Sequence, residues 1–266
     1  MNNYNFFDTD MFIHMRDFDP SIRTAAENAF DQNHPSSISA FSLVELKGNY
    51  IQDLILLHRK VSDADCFERA CARIRNSGGR RSYLMFAMLI SWMKDFSPHP
   101  WNMARRGLLT YIESQLAITW QDIIQSVDRV FNDMSCTRAK EVPEDDDGTW
   151  KVSIPHCRQN NTDCNIVAFM KSFDSELRSL LAALNTLSST VMTRELYKIK
   201  DIVKQTIAGE YPWEGQTCRQ VGDLLIGLQS KSGNKLISSN AKEHQQLHVP
   251  LGYSFEEFPI VKIRSK

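Results

Sequence analysis

Apolar and polar positions follow two rhythms along this chain, short apolar runs near both ends and a helical period through the middle. Tyr4-Asn-Phe-Phe7 predicts a first strand, closed by Asp8-Thr9-Asp10 and followed by a short helix on Met11-Phe-Ile-His-Met15. Residues 31–37, Asp-Gln-Asn-His-Pro-Ser-Ser, read as a turn and residues 37–40 as a second strand. Ser42 then opens a long helix to about Lys60, with Leu43, Leu46, Ile51, Leu54, Ile55 and Leu57 inward. From Asp63 to Gly209 the period is helical, broken at Gly78-Gly79, with later helices near 103–118, 120–134, 166–187 and 189–208. The stretch Thr217 to Leu251 reads as helix, strand, short helix. Leu224, Leu225, Ile226 and Leu228 give the apolar face, Gly233 sits where a helix-ending residue belongs, and Leu236-Ile237 forms a brief strand. Phe258-Pro-Ile-Val-Lys-Ile263 supplies a last strand.

Alternating strands and helices at both ends call for a parallel sheet with helices on its faces. The expected architecture is α/β, with an α/β core from residues 1–60 plus 215–266 and a mainly helical part, 61–214, that includes a large insertion. A chain of 266 residues is long enough for a sizeable core. A net charge of −1 argues against an electrostatic nucleic-acid coat, yet leaves room for a local basic groove from Arg80-Arg81, Arg105-Arg106, Lys231, Lys235 and Lys242. The opening residues carry no basic region followed by an apolar run, and the longest apolar run, Tyr83 to Ile90, is too short for a bilayer. Six cysteines at irregular spacing fit a reducing compartment. The expectation is a cytoplasmic protein with no membrane partner.

Candidate chemistry lies at the strand ends. Asp8 follows the first strand, Glu45 lies just inside the next helix, Asp223 is early in a late helix and Asn240 follows its strand. Each has a simpler account. Asp8 can cap the next helix, Ser42-Leu-Val-Glu45 and Thr217-Cys-Arg-Gln220 have capping-box spacing, and the latter puts Asp223 in the second helical turn. Capping does not explain why all four should fall at one end of a parallel sheet, where open α/β folds place their sites. Two irregular segments stand apart. The acidic stretch 141–148 reads as a solvated loop. His156, Cys157 and Cys164, with Cys136 upstream, offer four ligands for a structural Zn²⁺, although their spacing matches no paired C-x-x-C clip and free thiols are the alternative.

Four short pieces, in order, resemble the PIN domain, a family of metal-dependent nucleases that includes the toxin ribonucleases of bacterial toxin-antitoxin pairs. Phe7-Asp8-Thr9-Asp10 is similar to its opening Asp-Thr-Asn, and Ile38-Ser-Ala-Phe-Ser-Leu-Val-Glu45-Leu to its second strand and Ser/Thr-x-x-Glu-Leu helix start. Val221-Gly-Asp223-Leu-Leu-Ile-Gly is similar to its third acidic motif, and Leu236-Ile-Ser-Ser-Asn240 to its final strand and turn. The resemblance implies a PIN-like sheet. It also implies that Asp8, Glu45 and Asp223 bind Mg²⁺ or Mn²⁺ with Asp10 as a further carboxylate, and that Asn240 assists as ligand or water-positioning group. It departs from the family in the separation of 178 positions (223 − 45) from Glu45 to Asp223, and in Asn240 where an acid is common. The implied activity is endoribonuclease cleavage of single-stranded or structured RNA, in a toxin or antiviral-defence role restrained by a regulatory protein partner or by homo-oligomerisation. A DNA-cleaving enzyme and an inactive protein-binding module are the alternatives.

Overall fold

The computed structural model describes residues 4–17, 19–96, 99–136, 164–213 and 215–260. Its centre is a five-stranded, all-parallel sheet of β1 (Asn5–Phe7), β2 (Ser36–Ser39), β3 (Arg129–Phe131), β4 (Lys235–Ser238) and β5 (Phe255–Glu257), in the order β3-β2-β1-β4-β5. Strand order reverses between β1 and β4, so the switch point of this doubly wound sheet lies beyond their carboxyl ends.

Alternation along the strands feeds two separate cores. Phe7, Ile38 and Ile237 enter one, packed with Met11, Phe12 and Leu54. Phe6, Phe131 and Leu236 enter the other, against Leu224, Leu225 and Leu247. Both faces are therefore covered, and β1 and β4 read as continuous hydrophobic pairs, while β2 buries Ser36, Ser37 and Ser39 around Ile38.

The first core is roofed by α1 (Thr9–His14), α2 (Pro20–Gln32), α3 (Ala40–Leu46), α4 (Gln52–Ser62), α5 (Phe67–Arg75), α6 (Gly79–Phe96) and α7 (Trp101–Ser126). The second is roofed by α8 (Ile166–Lys171), α9 (Asp174–Thr186), α10 (Arg194–Ala208), α11 (Gly215–Gln220), α12 (Gly222–Ser230) and α13 (Ala241–Leu251). The long middle is mainly helical, as expected, but it does not stand apart from the sheet: it supplies helices to both cores and the edge strand β3.

Several local expectations change. The helix expected at 120–134 is instead the end of α7, which runs unbroken from Trp101 to Ser126, followed by β3. The helix α2 has no counterpart in the sequence reading. It begins with Pro20 at its first position, Asp19 accepts from the Ser21 amide at 2.9 Å, and Ile22, Ala26 and Phe30 are buried. The helix expected from Ser42 begins instead at Ala40, as α3, because Ser39 caps it by accepting from the Phe41 amide at 2.9 Å. Ser42 thus lies within the helix and its hydroxyl has no hydrogen-bond partner, so the Ser42–Glu45 capping box does not form. The run continues through a π turn at Lys47–Ile51 into α4. The last strand is Phe255–Glu257 rather than 258–263, where residues 261–263 lie outside the described residues. Also outside them are the acidic stretch 141–148 and, from the zinc set, His156 and Cys157. Cys136 and Cys164 border a small pocket of about 20 Å³ beside α3 and α12, lined also by Cys218 and otherwise by apolar side chains.

Gly233 does not end α12 by a left-handed turn; it permits a close approach. A Cβ there would lie 2.5 Å from the Tyr4 carbonyl oxygen and 2.8 Å from the Phe6 ring. The neighbouring Asn234 amide donates to that same carbonyl at 2.8 Å, which docks β4 on β1. Gly233→Ala is therefore expected to cost about 1–3 kcal/mol, the usual range for forcing an extra carbon into a packed interior. Chemical denaturation of the two proteins would measure the difference, and equal midpoints would contradict this role.

Candidate metal centre

Four segments bring polar side chains to the β1/β4 switch point. Asp8 leaves β1 and caps α1, its Oδ1 accepting from the Thr9 amide at 2.6 Å. The capping role is real, but it occupies one oxygen. Oδ2 accepts from the Ser238 hydroxyl at 2.7 Å and faces His244 Nε2 at 3.3 Å. Asp10, in the first turn of α1, accepts through Oδ2 from the Ser239 amide at 2.7 Å and from the Ser239 hydroxyl. Its Oδ1 is buried and lacks a hydrogen-bond partner.

Glu45 projects from the last turn of α3, where Oε2 accepts from the Thr9 hydroxyl at 2.9 Å. Asp223 lies in the first turn of α12, because the chain breaks at Val221 between α11 and α12. The Thr217–Gln220 capping box, which would put Asp223 in a second turn, is thereby replaced by a new helix start. Gly222 makes the meeting possible: a Cβ there would overlap Glu45 Oε1. Asn240 donates through Nδ2 to both oxygens of Asp223 at 3.2 Å, so its observed part is to orient that carboxylate.

His244 is not among the sequence candidates. It sits on the inner face of α13, fully buried, with Nδ1 2.8 Å from the Tyr253 hydroxyl and Nε2 3.3 Å from Asp8 and 3.7 Å from Asp223. The Phe255 ring stacks on it at 5.4 Å. Its sequence signal is thin: His244 and His248 are spaced i, i+4 just beyond Asn240, but a histidine on an apolar helix face is ordinarily core.

Comparison with known proteins leaves the family open. No protein-family model matches the chain, and no curated protein or solved structure matches it. The chemistry of the site is therefore read from its own geometry.

The carboxyl groups crowd one another. Burial, then the Asp8 charge, pushes Asp10 up to about 7. Burial raises Asp223 to about 6 even though the nearby His244 pulls the other way. Burial, followed by the charges of Asp223 and Asp8, holds Glu45 well above the usual carboxylate range. Asp8 goes the other way: burial would raise it, but the hydrogen bond and charge of His244, with the Ser238 and Thr9 donors, bring it below its ordinary value. Burial disfavours a charged His244, yet the Asp8 hydrogen bond and the charges of Asp223 and Asp8 leave it raised.

Such a cluster suits a cation. One carboxylate oxygen each from Asp8 and Asp223 and one His244 nitrogen all lie within 4.8 Å of one another. Ligands on an octahedral ion with bonds of about 2.1 Å stand about 3 Å apart when adjacent and about 4.2 Å when opposite, a range that holds the His244–Asp8 and His244–Asp223 separations of 3.3 and 3.7 Å. Among the described residues no other such group of three occurs. Glu45 and Asp10, both expected as ligands, surround this group without joining it: Glu45 is tied to Thr9, and Asp10 to Ser238 and Ser239. The cationic rim is thinner than expected. Lys231 pairs with Glu176, Lys235 with Glu256, and Arg105 donates to the Ala64 carbonyl. Arg106 is exposed on α7 and Lys242 is exposed two residues past Asn240, while the side chains of Arg80 and Arg81 lie outside the described residues.

The raised acids fix the direction of a pH effect on the metal-free protein. An Asp10 carboxyl at 3.8 when unfolded and about 7 when folded keeps its proton only in the folded state across that window. Stability is therefore lost as pH rises from about 4 to 7 and stays low above it. Asp10→Asn is expected to gain stability relative to wild type at pH 8 compared with pH 5, measured by urea denaturation in EDTA. An identical difference at both pH values would contradict it.

Proposed function

We propose that this chain is a PIN-like, metal-dependent nuclease that hydrolyses phosphodiester bonds of single-stranded or loop RNA. The observation that carries the reading is the convergence of Asp8, Glu45 and Asp223. They lie on three segments far apart in sequence, yet gather at the carboxyl end of a parallel sheet, at its switch point, with their charges only partly balanced. The order of these residues along the chain resembles that of the PIN-family motifs. RNA rather than DNA follows from that likeness, as does a toxin or defence role under the control of a protein partner or of self-association.

In this reading Asp8 and Asp223 hold the ion, and Asn240 fixes the Asp223 carboxylate. Mg²⁺ or Mn²⁺ bound there would lower the pKa of a water molecule and offset charge on the scissile phosphate. Glu45, whose Oε2 accepts from Thr9 beside Asp8, would exchange a proton there, and the exposed Lys242 would meet a flanking phosphate.

A second reading is favoured by one observation: the His244 nitrogen already stands 3.3 Å from Asp8 and 3.7 Å from Asp223. A protonated His244 would then take the cation's place, and the chain would be a catalytically silent module that binds a protein partner.

Cleavage of a mixed-sequence single-stranded RNA in Mn²⁺ or Mg²⁺ separates the two, with a matched DNA strand alongside. The nuclease reading expects cleavage that is abolished by excess EDTA and reduced at least about 100-fold by Asp223→Asn, the scale of losing a group that stabilises transition-state charge. No cleavage of either strand under both ions would favour the silent module, and preference for DNA would change the substrate class.

A further inference from the structure

A buried histidine between two acids has two uses, as a counter-charge or as a ligand, and its surroundings distinguish them. His244 is gripped from three sides. Its helix, α13, starts at Ala241 directly after Asn240, so the same turn that orients Asp223 also sets the ring's depth. The Phe255 ring stacks on the imidazole, with 29° between the planes. The Tyr253 hydroxyl meets Nδ1 at 2.8 Å.

Tyr253 is itself held in a slot made for it. A Cβ at Gly227 would lie 2.7 Å from the Tyr253 ring and 3.0 Å from its hydroxyl, so the absence of a side chain on α12 lets the phenol reach the histidine. Gly227 is one helical turn from Asp223, on the helix that carries that ligand. An oxygen partner on one ring nitrogen, leaving the other directed at carboxylates, is the arrangement that orients metal-bound imidazoles. Once Nε2 gives up the proton it donates to Asp8 in the metal-free protein, a proton kept on Nδ1 and donated to Tyr253 leaves the Nε2 lone pair facing Asp8 and Asp223.

We propose that His244 is a nitrogen ligand of the metal centre, through Nε2, making it a mixed site of two carboxylates and one imidazole that prefers Mn²⁺ or a later first-row divalent ion to Mg²⁺. The chemistry of the donors carries the preference. Mg²⁺ sheds water reluctantly and takes oxygen ligands in near-ideal octahedra. An imidazole favours first-row transition ions, whose affinity for nitrogen rises from Mn²⁺ onward. The inference rests on the metal-dependent reading under the proposed function and deepens it, since an all-carboxylate site would show no such preference from its ligands.

The experiment uses the full chain and the metal ion alone. Mn²⁺ is titrated by electron paramagnetic resonance, ¹⁴N coupling to the bound ion is recorded by spin-echo modulation, and Mg²⁺ is added as competitor. The expected result is a ¹⁴N coupling in wild type that persists in His14→Gln and is lost in His244→Gln, with the Mn²⁺-over-Mg²⁺ preference narrowing in the latter. Tyr253→Phe should keep the coupling and weaken Mn²⁺ binding about 10-fold or more, the scale of losing an outer partner of a metal-bound histidine. Mn²⁺ bound without ¹⁴N coupling in wild type would overturn the ligand role and leave the carboxylate metal site standing. Binding of neither ion would overturn both. Should His244→Gln fail to fold by circular dichroism, the wild-type and His14→Gln spectra decide.

Discussion

Like charge held in a confined space is the constraint on which the rest of this molecule turns. Four carboxyl groups meet at the end of two adjacent parallel strands, and the buried His244 ring stands among them to offset part of their charge. An arrangement of this kind opposes folding at neutral pH unless the acids keep protons or gain a cation. Its persistence in so well packed a fold is the physical argument for a site. The rigid parts lie directly beneath: Phe6 and Phe7 anchor β1 in separate cores, Leu236 and Ile237 do the same for β4, and each strand then releases its polar residues at the same edge.

Much of that arrangement is legible in the residues alone. The pairs Phe6-Phe7 and Leu236-Ile237 announce two-sided burial, and the acid or amide after each strand follows the rule that α/β sites form at carboxyl ends. Asp8, Glu45, Asp223 and Asn240 do come together as that rule implies. The points that differ do so for local reasons. Two serines compete to begin α3, and Ser39 prevails over Ser42 because it can accept from the Phe41 amide with an extended backbone. A strand of three residues after a 26-residue helix carries too few alternations to be seen, so the residues of β3 read as helix. The helix α2, by contrast, does carry a signal in Asp19, Pro20 and apolar residues at every fourth position.

His244 shows a different limit. Its place on an apolar helix face is indistinguishable, in one sequence, from that of an ordinary core histidine. What makes it part of the centre is a set of long-range relations: Gly227 opening space, Tyr253 filling it, and Asp8 arriving from the far end of the chain. None has a sequence spacing of its own. The same holds for Gly222, whose missing side chain admits the Glu45 carboxylate beside Asp223. Small residues next to functional ones, rather than the functional residues themselves, carry the part of the design that pattern reading overlooks.

Whether a divalent ion occupies the space among these side chains decides the rest. A crystal soaked in Mn²⁺ and measured at a wavelength where manganese scatters anomalously would answer directly. One strong anomalous peak is predicted at the β1/β4 switch point, within bonding distance of Asp8, Asp223 and His244. An empty switch point with His244 still seated between the two aspartates, or a peak elsewhere on the surface, would contradict it.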